Sequence, residues 1–297
     1  MLSKKTVEFF AHQSGIHNLE IAEREVVLTY ALRLLQDSGH LARLAFKGGT
    51  CIRKVWIGPT GRFSMDLDFT SREEIEPQDA ILDLMDVFNR EFCGIRFHLE
   101  DDWRITQNAM SFTTQPSYCH DWNQDGGFDL QVSLREKPTL RVRTRPLIPL
   151  SYFRYLECPL PEVPSLDERE IMAEKVRAAF QRAKVRDLHD LFVFSKKPLD
   201  RELIRRLVVI KLWQVRDAFD PDTFVARLQD TAYDWNDLRQ LIKSSAKIAP
   251  EEIISKTVAG WSFLRELTEE ERLLSADAKA HRQTDLWSKM CDSCRNA

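Results

Sequence analysis

The sequence contains no apolar run of 18 or more residues, so no stretch of it reads as a transmembrane helix. Its N-terminus, MLSKKTVEFFAHQSG, lacks the apolar segment and cleavage site of a secretory leader. Both absences predict a soluble, cytoplasmic protein with no membrane partner. Cysteine is sparse: Cys51, Cys93, Cys119, Cys158, Cys291 and Cys294 are too scattered for a disulfide framework. Only Cys291 and Cys294 form a CxxC pair, and a structural zinc needs about four ligands. His281 is the one further candidate nearby, so the choice there is between a metal site and a frayed C-terminal tail. The seven histidines show no metal-ligand spacing, and there is no internal repeat or low-complexity segment. A large excess of one charge is missing too. The formal net charge of -3 does not advertise a nucleic-acid binder, although binding needs only a local basic face.

What is present is enough chain for two lobes, 297 residues with 43% hydrophobic content. Helical periodicity runs from Leu19 to Gln36 and, after Pro77, to about Phe92. Short strands are expected at Leu41–Phe46, Ile95–Leu99, Trp103–Thr106, Ser111–Thr114, Phe128–Leu134 and Leu140–Arg145, with Tyr118–Gly127 as a polar loop. Pro159, Pro161 and Pro164 break regular structure, and beyond Ser165 the pattern is almost wholly helical. Helices are expected from Ser165 or Asp167 to Lys184, then over Asp187–Ser195, Asp200–Arg216, Pro221–Leu228 and Pro250–Leu274. The lobes are therefore a mixed α+β region over residues 1–160 and a helical region over 165–297.

The first lobe is organised around FKGGTCIRKVWIGPTGRFSMDLDF, from Phe46 to Phe69. Asp66 and Asp68 alternate with Leu67 and Phe69, and a strand's period of two aims both carboxylates at one face. Hard cations such as magnesium favour such oxygen donors. Gly48 and Gly49 permit close backbone approach, and a helix starting near Thr50 would offer its first amides to a phosphate. In the second lobe, EKVRAAFQRAKVRDLHD buries Met172, Val176, Phe180 and Ala183 on one stripe. As one continuous helix it would bring Lys175, Arg182 and Arg186 within roughly 40° of each other. Such a face is either a solvated surface, with Arg186 paired to Asp190, or one side of a nucleoside triphosphate site.

The ordered motifs GGT, RFSMDLDF and EKVRAAFQRAKVRDLHDL resemble the nucleotidyltransferase toxins of the AbiEii/AbiGii family, which includes the mycobacterial MenT-type toxins. The resemblance covers about Glu20 to Phe194. It implies an α+β fold: a polymerase-beta-like nucleotidyltransferase core with a mixed sheet, followed by a C-terminal helical domain. It also implies the toxin half of a toxin–antitoxin pair, with a cognate antitoxin as partner and magnesium, or manganese in its place, as cofactor. Carried over residue by residue, Asp66 and Asp68 are the metal ligands. Lys47, Gly48, Gly49, Thr50 and Ser64 form the nucleotide-cradling turn, and Lys175 is the lysine that meets the triphosphate. Arg182, Arg186, Asp187 and Asp190 form the closing Arg-x-x-x-Arg-Asp-x-x-Asp element. The expected reaction is transfer of a nucleoside monophosphate from a nucleoside triphosphate to the 3′ end of tRNA, which would block translation. A protein or small-molecule acceptor, and a non-catalytic nucleotide- or RNA-binding module, stand as alternatives.

One position departs from the pattern of the wider fold, in which a later strand supplies a third carboxylate. In FDLQVSL the choice lies between Asp129 and Gln131, which cannot ionise. Asp129 is either that carboxylate or a turn residue at the strand's start. The clusters Arg141, Arg143, Arg145 and Arg201, Arg205, Arg206 are either RNA-phosphate contacts or plain surface charge.

Overall fold

The computed structural model describes residues 2–100, 103–106, 110–229 and 232–296. They form two units, the first made of Met1–Pro138, Val142–Leu166 and Gln240–Ser245, the second of Thr139–Arg141, Asp167–Arg239 and Ala246–Ala297.

The first unit opens with α1 (Lys4–Ser14) and α2 (Leu19–Asp37), whose first turns are capped by the side chains of Ser3 and Asn18. Then come β1 (Leu44–Lys47), α3 (Gly48–Cys51), which widens into a π-helical turn over Ile52–Ile57, β2 (Leu67–Ser71) and α4 (Pro77–Phe88). The helix after the glycine pair thus begins at Gly48, two residues ahead of Thr50. The helix after Pro77 ends at Phe88 instead of Phe92, because Arg90–Phe92 becomes β3 and pairs with β4 (Ile95–His98). Next are β5 (Trp103–Ile105) and β6 (Ser111–Thr114). The stretch expected to be a polar loop is a hairpin of β7 (Ser117–His120) and β8 (Asn123–Gly127). β9 (Leu130–Ser133), β10 (Arg143–Pro146) and β11 (Glu162–Ser165) complete the strands.

Seven strands form one mixed sheet in the order β10-β11-β1-β2-β9-β6-β5, and β3-β4-β7-β8 form a second. In the large sheet β1–β11 and β2–β9 are parallel pairs and the described remainder antiparallel. Register partners on neighbouring strands share a face, so the sheet's chemistry is arranged in rows. Phe46, Phe69, Val132 and Phe112 are partners across four strands and all are buried. One residue along, the row on the opposite face reads Lys47, Asp68, Gln131 and Thr113. The sheet therefore has an apolar face built into the core and a polar face that carries the acidic motif.

The second unit begins with α5 (Glu168–Gln181), capped by Asp167, and continues with α6 (Val185–Phe194), α7 (Arg201–Gln214) and α8 (Pro221–Leu228). Then come α9 (Trp235–Leu241), whose last two residues count with the first unit, α10 (Pro250–Gly260), α11 (Glu269–Asp277) and α12 (Thr284–Arg295). Three expectations are corrected here. The helix expected to reach Lys184 stops at Gln181, and the single helix expected over Pro250–Leu274 is interrupted between Gly260 and Glu269. The C-terminal tail is a helix that buries Met290, Cys291 and Cys294 on one side. Among the described residues no group of three or more His, Cys, Asp or Glu side chains is placed to hold a metal ion, and the CxxC pair is buried in α12. Nor, among the described residues, is any helix long and apolar enough to cross a membrane.

Candidate active site

In the first unit the glycine turn and the acidic strand are one assembly. Gly48 has φ +74, and a Cβ built on it would stand 2.0 Å from Oδ2 of Asp68. A Cβ on Gly49 would meet the Ser64 hydroxyl at 2.6 Å and a guanidinium nitrogen of Arg62 at 2.8 Å. The space that the glycines clear is thus occupied by the motif's own Asp68 and Ser64. Gly48 also needs the left-handed backbone that other residues adopt at a cost. A Gly48→Ala variant is expected to displace the Asp68 carboxylate and lose at least ~10-fold in nucleotide transfer, since misplacing a catalytic group by an ångström costs on the order of 10²-fold. Wild-type turnover by Gly48→Ala in a transfer assay would show that Asp68 needs no such room.

Thr50 is fully buried, and its hydroxyl donates to the backbone carbonyl of Asp66 at 2.5 Å. That bond fixes the chain as it enters β2. Asp66 lies just before β2 and Asp68 within it, both half-buried, while Leu67 and Phe69 between and beyond them are buried. The register Asp68↔Gln131 puts Gln131 beside Asp68. One step back along the same parallel pair, Asp129 stands level with Asp66, and its carbonyl accepts the amide of Leu67 at 2.9 Å. Asp129 is exposed, precedes β9 and accepts from the Gln115 side-chain amide at 2.7 Å on Oδ1. Asp129 thus stands at the start of β9, level with Asp66 on the neighbouring strand.

Behind this turn lies a buried ionic core that sequence reasoning missed. Glu25 of α2 receives Arg53 at 3.1 Å and Lys54 at 2.9 Å, both from the π-helical turn. The Lys54 ammonium also donates to Thr29 at 3.0 Å and to the Tyr152 hydroxyl at 3.1 Å. Arg53 donates to the Gly61 carbonyl at 2.5 Å and stacks over Phe63 at 3.7 Å. In sequence, IRKVW is only the continuation of the helix that starts near Thr50. The partner that buries its two cations is a glutamate more than 25 positions upstream, and no local pattern announces it. Its effect is to pin the helix that follows Gly48–Gly49 and the loop that leads to Ser64.

In the second unit the expected stripe of three cations on one helix does not form. Arg182 is the C-cap of α5 in extended conformation, and Arg186 belongs to the next helix. The Lys175 ammonium sits 3.0 Å from Asp187 Oδ1 and 2.8 Å from Asp190 Oδ2, while Arg182 Nε reaches Asp187 Oδ2 at 2.9 Å. Arg186 turns instead to Asp237, at 2.7 and 2.5 Å through two nitrogens. Asp237 has no signal in the sequence, being 51 positions from its partner. Two cations and two carboxylates therefore balance around Lys175. Its side chain is 10% exposed against 54% for Arg182, which makes Arg182 the accessible cation of the pair.

Burial alone would push the Asp187 carboxyl up, but the Lys175 ammonium and the Arg182 guanidinium outweigh it and hold the pKa below the usual value. The native state thus binds fewer protons there than the unfolded chain. Its contribution to stability is present above the ordinary carboxylate range and is lost as pH falls through and below it. The melting temperature is expected to be steady near neutrality and to fall below about pH 4, with a shallower acid limb in Asp187→Asn. An acid limb identical in the two proteins would count against the coupling.

The basic clusters resolve differently. Arg205 binds Glu271 at 2.7 Å, Arg206 binds Ser293 at 2.8 Å and Glu202 at 2.9 Å, and Arg201 stands over Phe263 at 5.7 Å. These contacts lie within the second unit, and Arg201 is exposed. Arg141 does not share a strand with Arg143 and Arg145. Those two lie on β10, where Arg143 is exposed and Arg145 stacks over Trp56 at 4.3 Å.

The fold and these motifs define a nucleotidyltransferase, with an acidic strand face on a mixed sheet and a helical C-terminal part. The chain matches the model of the nucleotidyl transferase AbiEii toxin family, of type IV toxin–antitoxin systems, over residues 31–295, and it belongs to that family. Seven solved chains are similar to it. One is the nucleotidyltransferase toxin MenT4 from Mycobacterium tuberculosis H37Rv, 23% identical, with a TM-score of 0.84 over 99% of this chain and 100% of that one. No curated protein matches. Membership of this toxin family implies a nucleoside triphosphate substrate and a cognate antitoxin.

Proposed function

We propose that this enzyme transfers a nucleoside monophosphate, with the help of magnesium or manganese, from a nucleoside triphosphate to the 3′ end of tRNA, and that this transfer is the toxic act. The observation that supports this reading is the acidic strand start, with Asp68 seated in the space that Gly48 clears and Asp66 and Asp129 level with each other just ahead of β2 and β9.

The donor set fits a hard divalent ion. Asp66 and Asp68 supply carboxylate oxygens from one face, and magnesium is commonly held by one or two carboxylates together with substrate phosphates and water. A third protein ligand is not required for that. Bound there, the ion would offset the negative charge of the triphosphate and of the departing pyrophosphate.

The chain's own residues do the rest. The acceptor hydroxyl oxygen bonds to the α-phosphorus as the α–β phosphoanhydride bond breaks and pyrophosphate leaves. The hydroxyl proton passes to Asp129 Oδ2, while Gln115 holds the other oxygen. In the second unit, Arg182 is the candidate for phosphate contact through its exposed guanidinium. Lys175, held between Asp187 and Asp190, keeps Arg182's partner carboxylate in place and adds positive charge beside it. Arg143 and Arg145 of β10 are candidates for acceptor phosphates, and loss of both should flatten the salt dependence of RNA affinity.

The acceptor is tested by incubating the protein with each labelled nucleoside triphosphate, magnesium and total tRNA, then separating tRNA, protein and small molecules. Label at the tRNA 3′ end is expected. Label in protein or in a small molecule, with none in tRNA, would overturn the tRNA assignment while keeping the enzyme class.

A further inference from the structure

Cys93 and Cys158 are 65 positions apart in sequence and meet in the first unit. Each thiol perturbs the other, which makes them neighbours, and both cysteines are half-buried, so a small reagent can reach them. Two further observations hold them together. Tyr30 of α2 packs its ring on Phe92, the residue before Cys93, with centroids 6.3 Å apart. Its hydroxyl accepts from the backbone amide of Glu157, the residue before Cys158, at 3.4 Å. Further along, the Glu162 amide donates to the Gln36 side chain of the same helix at 3.2 Å. One helix thus backs both segments.

The backbone at Cys93 is the second observation. Cys93 and Gly94 join β3 to β4 as a two-residue hairpin turn with φ +53 and +74. A turn of that hand favours asparagine, aspartate or glycine at its first position, and a cysteine there sits in a backbone region its side chain disfavours. A residue that this strained turn disfavours, with a second thiol as its neighbour, points to a use for that side chain.

We propose that Cys93 and Cys158 form a reversible intramolecular disulfide, a redox modification site that ties the β3–β4 turn to the segment leading into β11. The oxidant is a low-molecular-weight disulfide of the glutathione class. One thiolate attacks the small disulfide, forming a mixed disulfide and releasing one small thiol. The other cysteine then displaces the second small thiol and closes the Cys93–Cys158 bond. Two protein thiols lose two protons and two electrons in all, and the small disulfide is reduced to two thiols. Burial raises both thiols, Cys158 to about 12, with Asp37 adding to the rise at both, Arg33 opposing it at Cys158, and Glu157 adding to it at Cys93. Exchange is therefore slow at neutral pH, and the pair responds to sustained oxidation, not to brief pulses. The other neighbouring pair, Cys291 and Cys294, is buried in α12 and out of reach of such a reagent.

The test uses the full chain, equilibrated with glutathione mixtures of graded potential, trapped with an alkylating agent under denaturing conditions and mapped by mass spectrometry. The expected result is a Cys93–Cys158 linked peptide lacking two hydrogens, with the free thiols of both residues disappearing together at one midpoint. In Cys158→Ser, Cys93 should carry glutathione instead of a protein link. Independent midpoints, separate glutathione adducts on both residues of the wild-type chain, a link from either to Cys119, or two thiols still free in the most oxidising mixture would each overturn the proposal.

Discussion

Asp68→Asn is expected to lower nucleotide transfer by at least ~10²-fold, the scale seen when a stabiliser of transition-state charge is removed, and to leave the melting temperature close to wild type. The two halves of that expectation come from one geometry. Asparagine has the size of aspartate, so the contact that presses Asp68 Oδ2 against Gly48 is preserved. The row Lys47, Asp68, Gln131, Thr113 stays intact on the polar face, and the apolar row of Phe46, Phe69, Val132 and Phe112 is untouched. What is lost is a negative charge on a hard oxygen donor, the property a divalent ion requires. Growth arrest on expression should disappear with the activity. Arrest that persists in Asp68→Asn would make binding, not transfer, the toxic act.

The largest expected effect on stability is at Glu25, far in sequence from any recognised motif but bonded to the helix that follows the glycine pair. Glu25→Ala would leave Arg53 and Lys54 buried with their shared anion removed. Breaking a buried pair from one side costs about 3–5 kcal/mol, a large part of the 5–15 kcal/mol that holds a typical domain folded. The two cations would respond differently. Burial already lowers the Lys54 ammonium despite the pull of Glu25, so it can shed its proton. Arg53 stays charged and carries the penalty, cushioned only by the Gly61 carbonyl and the Phe63 ring. Denaturant titration should show the midpoint falling sharply, and replacing Arg53 by methionine in the Glu25→Ala background should recover part of it. An unchanged midpoint in Glu25→Ala would mean that water reaches these cations.

Legibility in the sequence followed the range of the interaction that fixes each element. Asp66-Leu67-Asp68-Phe69 was readable because a strand's alternation is local, and Pro221–Leu228 was placed to the residue because Asp220 and Pro221 mark its start. The β7–β8 hairpin was not readable. Its residues are polar, and Gly126 is needed because a Cβ there would lie 2.2 Å from the Tyr118 ring, a cross-strand contact with no periodic signature. Continuing α5 through Arg182 was the natural reading, since AKVRD contains neither glycine nor proline. The break is set by Arg182 and Lys175 converging on Asp187, an ion cluster that exists only after folding. At the candidate site the ordered motifs were visible as residue types. The reason for the glycine pair, room for Asp68 and Ser64, was not.

The most direct measurement of the central claim, that the Asp66–Asp68 face performs divalent-dependent nucleotidyl transfer, is pyrophosphate release from a nucleoside triphosphate as magnesium is titrated against a chelator. Release that rises from zero with the ion in the wild-type chain, and stays near zero at every ion concentration in both Asp66→Asn and Asp68→Asn, is predicted. Release at full rate in chelator, or undiminished in either variant, would contradict it.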